Sequence, residues 1–250
     1  MPSKAIVGSA ACGVTALLMS ACATHVTAPE PAKIPATLPE PDTTEPAEQD
    51  SEGAMPVEDG AEPEPQAVLF TPDESLKLCP TLGVSNRPAT DADGYVTDFA
   101  PFARVTETVL LAIVPVNGAC LSSGMGPRGE KLHKGIDLQT RPASMVHAAA
   151  AGTVREAGYR DDYGFQVVLD HGDDVFTRYA HLQGFEEGIS VGATIDFGTP
   201  LGLMGNTASY YIPIHLHYEM LVGNYDTPAD SFGLAPIDPF DYRLLDAFED

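Results

Sequence analysis

The stretch Val167–Tyr179, VVLDHGDDVFTRY, decides the fold class. Two runs rich in β-branched and aromatic residues flank HGDD, so the segment reads as an antiparallel hairpin with its turn at His171–Asp174. Outward from it, short runs of the same kind recur between glycine and aspartate turns: GTVREAG at 152–158, TPLGLMG at 199–205 and HLHYEMLV at 215–222. No helical period crosses this region, and the pattern predicts an all-β domain. The closely spaced glycines of SVGATIDFGTPLGLMG, residues 190–205, suit tight, crossing turns.

Upstream, the pattern is less readable. Residues 71–114 contain Cys79, several prolines and VTETVLLAIV (105–114), an apolar run that fits a buried strand or a short helix. They are expected to form an N-terminal extension to a domain spanning 115–250. Residues 22–70 are dominated by Pro, Glu, Asp, Ala and Thr, too poor in apolar side chains to offset the entropy of ordering. The expectation there is a disordered acidic tether, extended at roughly 3 Å per residue and reaching on the order of 100 Å. Residues 1–21 carry one cation, Lys4, and then a small, apolar run too short for an ordinary membrane span, which reads as an export signal. Its end, LMSAC, resembles a bacterial lipobox that would leave Cys22 as a lipidated first residue, although Met19 stands where leucine is usual. Cys12 would leave with the signal, so Cys79 and Cys120 remain as a pair for a disulfide in an oxidising compartment; two separate buried thiols are the alternative. The expected location is the periplasm, with anchorage at the outer membrane. A net charge of −23 excludes electrostatic binding to nucleic acid or to an anionic membrane, so membrane contact would come only through a lipid on Cys22.

Three clusters hold the chemistry. In IHLHYEM (214–220) the two-residue period of a strand puts His215 and His217 on one face, about 7 Å apart, near enough to serve one metal. In GMGPRGEKLHKGIDLQT (124–140), His133 and Asp137 are four apart around Gly135, and an extended segment would also place them on one face. In RYAHL, His181 ends a run in which Thr177, Tyr179 and His181 would share a face. Each cluster alone fits a solvated strand or a turn equally well. Together they supply four histidines and one carboxylate, as a catalytic zinc site with an open position requires.

Seven blocks in order, SSGMGPR, HKGIDL, AAAAGTVREAG, YGFQVVLDHG, TRYAHL, VGATIDFGTPLGLMG and HLHYEM, give the region Pro115–Pro228 its resemblance to the lysostaphin-type, or LytM-domain, zinc metallopeptidases that cut peptidoglycan cross-bridges. The resemblance implies an antiparallel β-sheet groove of the LytM type, a duplicated, barrel-sandwich-like motif. It implies His133, Asp137 and His217 as zinc ligands, His215 as general base and His181 as the group that steadies the oxyanion. It implies peptidoglycan peptide stems as substrate, with the bond from D-alanine to meso-diaminopimelate the expected target in a Gram-negative-type envelope. A catalytically silent LytM-domain regulator, binding peptidoglycan or activating an amidase, is the competing implication, but all five positions are filled here. A lipoyl-like carrier would need an exposed hairpin lysine that is missing. Arg128 matches a basic residue that either contacts substrate or braces a loop, and Tyr179 either donates into the groove or packs. His171 fits a local hydrogen bond and His147 packing or solvent. The inserted SYYIP brings Tyr210 and Tyr211 to line or narrow the cleft.

Overall fold

The computed structural model describes residues 69–80, 82–225 and 233–242; the expected export signal, Cys22 and nearly all of the expected tether lie outside the described residues. Among the described residues fifteen strands follow one another. They are β1 Lys77–Leu78, β2 Phe102–Arg104, β3 Leu110–Ala112, β4 Cys120–Ser123, β5 Gly126–Arg128, β6 Lys131–His133, β7 Ile136–Gln139 and β8 Met145–His147. Then come β9 Gly152–Arg160, β10 Gly164–Asp170, β11 Val175–Leu182, β12 Thr194–Ile195, β13 Pro200–Leu203, β14 Leu216–Val222 and β15 Ala235–Ile237. The described residues hold no α-helix, only a 3₁₀ turn at Pro239–Asp241, so the protein is all-β.

Nine strands form one mostly antiparallel sheet in the order β1-β4-β7-β14-β11-β10-β9-β12, with β15 beside the far half of β14. The β10–β11 hairpin turns at His171–Asp174, where the Val175 N–H donates to the Gly172 carbonyl at 2.9 Å. Strand alternation sorts the sheet into two faces. Leu216, Tyr218 and Met220 of β14, Ile136 and Leu138 of β7, and Val175 and Tyr179 of β11 all enter the main core. His217, Glu219, Asp137 and Arg178 alternate with them and occupy the other face.

The run 105–114 supplies strand β3, paired with β2 from Phe102↔Ala112 to Arg104↔Leu110, and Leu111, Ile113 and Val114 are buried in the main core. Leu76, Val96 and Ala103 join the same core, so residues 71–114 pack against the sheet. Cys79 and Cys120 are disulfide-bonded across the parallel β1–β4 pair.

Two readings of strand faces are corrected. His133 and Asp137 do not share one strand: β6 ends at His133, in a separate two-stranded sheet with β5, and the chain breaks at Lys134–Gly135 before β7 begins. A side chain at Gly135 would put its Cβ 2.1 Å from the carbonyl oxygen of Tyr218, so only glycine lets this corner lie against β14. His181 does not share a face with Thr177 and Tyr179. Between Val167↔Tyr179 and Phe165↔Leu182 the register of β10 and β11 slips, and His181 takes a positive φ of 63° there. The extra residue of the bulge turns the imidazole to the opposite face, beside His215.

Candidate active site

Asp137 and His217 are direct cross-strand partners on β7 and β14, so alternation alone aims both side chains from the same face of the sheet. His133 reaches them from the end of β6. Its Nε2 lies 3.0 Å from Asp137 Oδ1 and 3.1 Å from His217 Nδ1, and the last two atoms are 2.9 Å apart. A tetrahedral zinc with ligand bonds of 2.0–2.1 Å has edges of about 3.3 Å, so these atoms form one face of such a site to within a few tenths of an ångström.

The outer contacts of the imidazoles fix their tautomers. His133 Nδ1 donates to the Gly124 carbonyl at 2.7 Å, and His217 Nε2 donates to Glu219 Oε1 at 3.0 Å; both acceptors lack a proton to give. His133 Nε2 and His217 Nδ1 therefore present lone pairs to the point at which Asp137 Oδ1 also aims. Three converging lone pairs repel one another unless a proton or a cation sits among them, and the set could hold a metal ion. Without metal, burial opposes a charge on His217, but hydrogen bonds to Asp137 and Glu219 outweigh it and raise the group to about 9. Burial likewise opposes ionisation of Asp137, and the bonds to His133 and His217 reverse that, holding the carboxyl well below its usual range.

Two further histidines border the cluster. His181 and His215 lie with ring centroids 4.7 Å apart, and His215 Nε2 is 3.8 Å from Asp137 Oδ1. His181 Nδ1 donates to the Thr207 carbonyl at 2.8 Å and His215 Nδ1 to that of Pro213 at 2.8 Å, leaving each Nε2 an acceptor in the neutral ring. Burial lowers both, with the neighbouring charge of His215 adding to the effect on His181, which falls to about 4. Both rings are thus neutral near pH 7 and able to take a proton at Nε2. The cluster opens into a cleft of about 740 Å³, lined also by Tyr163 and Tyr210.

Arg128 braces the site: its Nη2 donates to Asp137 Oδ2 at 2.7 Å and to Ser123 Oγ at 2.6 Å, which leaves Oδ1 to face the histidines. Tyr179 is fully buried, hydrogen-bonded to the Ala149 N–H and to Thr177, and has no place in the cleft. His171 bonds the Ala151 carbonyl and Thr177, and His147 stacks on Phe70 with centroids 4.5 Å apart. Tyr210 lines the cleft, whereas Tyr211 is 91% exposed and does not.

Sequence reasoning missed Glu219. It is fully buried, receives His217 Nε2–H and the Tyr163 hydroxyl (2.8 Å) on Oε1, and meets Arg178 Nη1 at 2.5 Å on Oε2. The signal was present: His215, His217 and Glu219 continue a single two-residue period, and Arg178 is the cross-strand partner of Glu219.

Residues 131–230 match peptidase family M23. The DD-carboxypeptidase/endopeptidase Mpg of Neisseria meningitidis serogroup B is 35% identical over 89 residues, covering 36% of this chain and 20% of its own. The peptidoglycan DD-endopeptidase ShyC of Vibrio cholerae is 31% identical over 115 residues, covering 43% of this chain and 26% of its own. The match therefore spans only about a fifth to a quarter of these curated relatives. A crystal structure described as a zinc-containing peptidase from Vibrio cholerae superposes with a TM-score of 0.44 at 25% identity, over 52% of this chain and 39% of that one.

Proposed function

We propose, from the premise that residues 131–230 are a peptidase family M23 domain of the lysostaphin type, that the protein is a zinc endopeptidase hydrolysing peptide cross-links of peptidoglycan. The bond from D-alanine to meso-diaminopimelate is the proposed target. The observation that carries the reading is the triangle of donor atoms on His133, Asp137 and His217, 2.9–3.1 Å on a side, next to two neutral histidines with Nε2 free of hydrogen. The name of ShyC supports peptidoglycan as the substrate class, and that of Mpg supports endopeptidase activity.

When bound, zinc supplies Lewis acidity toward the scissile carbonyl and brings the pKa of water toward neutrality. His215 takes the proton of the attacking water at Nε2 and returns it to the leaving amine. His181 keeps its Nδ1–H on the Thr207 carbonyl, so charge developing on the substrate oxygen favours uptake of a proton from solvent at its Nε2, which then donates to the oxyanion and gives the proton back to solvent as that charge collapses. Arg128 and Glu219 hold Asp137 and His217 in place through their outer atoms. We further propose export, a lipid anchor at Cys22 and an acidic tether over residues 22–70, which would keep a domain of residues 115–250 at high effective concentration beside the wall.

Digestion of purified peptidoglycan by the full chain, followed by a muramidase and mass identification of the muropeptides, tests the reading. Glycan-linked monomers whose stems end in D-alanine are expected to replace the cross-linked dimers; surviving dimers, or stems freed from their glycan, contradict it.

A further inference from the structure

Acids outnumber bases 36 to 13 in this chain, and ten of the lysines and arginines fall among the described residues. Those ten are unevenly placed. Arg128, Lys131 and Lys134 line the catalytic cleft, and Lys77 and Arg87 line a hollow of about 490 Å³ that shares Leu82 and Gly83 with it. Elsewhere Arg155, Arg160 and Arg178 are committed to Asp170, Glu156 and Glu219, and Arg104 and Arg141 are exposed outside both hollows.

Within the cationic wall, Arg128 is taken by Asp137 and Lys77 lies over the Tyr95 ring. Lys131 and Arg87 are exposed and make no salt bridge among the described residues. Asp137 and Glu219 are committed to partners, and the exposed acids that line these hollows are Asp162 and Asp93. Over a Debye length of about 8 Å, the local cations rather than the overall charge set the potential of this wall.

The wall is also fixed. Arg128 and Lys131 are cross-strand partners in the β5–β6 pair that ends at His133. The segment before Arg87 is tied to that pair: the Gly124 N–H donates to the Ser85 carbonyl at 2.8 Å, and Asn86 Nδ2 donates to the Pro127 carbonyl at 3.2 Å. A Cβ at Gly124 would stand 1.9 Å from the Asn86 carbonyl oxygen, so the two backbones touch there. The Cys79–Cys120 disulfide anchors the same segment from behind.

We propose that Lys131 and Arg87 form a specificity site for a free carboxylate on the peptide stem flanking the scissile amide. This rests on the endopeptidase reading. Exposed cations lining the cleft and the adjoining hollow select an anionic stem by short-range contact, which long-range steering cannot supply in so acidic a chain.

The zinc-loaded full chain is given two cross-linked muropeptide dimers that differ only in whether their stem carboxylates are free or amidated. The free form is expected to have about tenfold higher kcat/KM, the difference lying in KM and shrinking in 0.5 M salt. Lys131→Ala and Arg87→Ala each lower that preference about threefold, Lys131→Arg retains it and Lys131→Glu reverses it, in keeping with half-exposed ion pairs. Calorimetry with an uncleaved stem tetrapeptide, free or amidated, on the metal-free chain reports binding independently of turnover. Equal kcat/KM and equal Kd for both forms, or a Lys131→Glu variant with an unchanged ratio, overturns the proposal. If neither dimer is cut while the tetrapeptide still shows the preference, the endopeptidase reading fails and the carboxylate site stands.

Discussion

His217 is held from both ends, by the donor triangle at Nδ1 and by Glu219 at Nε2, and Glu219 is held in turn by Arg178 and Tyr163. This chain of contacts separates the roles of neighbouring residues. His217→Ala removes one of three proposed ligands, so metal content and activity should fall together. His215→Ala should keep its metal and lose turnover, and elemental analysis of the two variants distinguishes them; equal metal loss would mean the roles are exchanged. Glu219→Gln retains the shape but weakens the hold on Nε2, and zinc affinity should drop about 10- to 100-fold by competition with a chromophoric chelator. The metal-free His217 lies at about 9 and carries a proton that a cation must displace. Apparent zinc affinity should accordingly rise about tenfold per pH unit up to pH 9 and flatten above it. A flat profile from pH 6 to 9 would show that no proton leaves. The converging residues were legible from block order, which is a sequence property; two-residue spacing aligned His215 with His217 but not His133 with Asp137, which lie on different strands. Glu219 was not singled out because a strand glutamate ordinarily faces solvent, and only the pairing of β14 with β11 shows a buried arginine opposite it.

Among the elements, two irregularities build the site, and neither follows from hydrophobic pattern. The bulge in β11 carries His181 across the sheet, with no glycine in RYAHL to mark the positive φ. Alternation therefore assigns the wrong face to His181 and to Leu182 after it, although it sorts β11 as far as Ala180 and all of β14 correctly. The corner at Gly135 has its reason in the Tyr218 carbonyl 2.1 Å from where a Cβ would be, which is a tertiary contact. Gly135→Ala should force β14 away from the β6–β7 corner and destabilise the domain by about 3 kcal/mol in chemical unfolding. It should also lower zinc affinity, because the displaced strand carries His217. A variant with unaltered stability and metal binding would show that the corner has room.

For the whole molecule, the hairpin at His171–Asp174 and the glycine-punctuated strands were sufficient to read an all-β fold, since both signals are local. Of the packing of residues 71–114, the Cys79–Cys120 link was legible from cysteine count, whereas the entry of Leu76, Val96 and Ala103 into the main core was not, because it depends on contacts with residues far along the chain. That disulfide closes a loop with a sequence separation of 41, which by chain entropy stabilises the fold by about 4 kcal/mol. Cys79→Ser should thus lower Tm by about 10 °C, and an unchanged melting curve would mean the extension is held by packing alone. All of these features serve to bring His133, Asp137 and His217 together from two sheets and keep the cleft open beside them. The most direct test is to titrate zinc into the metal-stripped full chain while following hydrolysis of a cross-linked muropeptide dimer. Activity should climb from baseline and level off at about one zinc per chain, with no rise in the His217→Ala variant; full hydrolysis before any metal is added, or an equal rise in that variant, would contradict it.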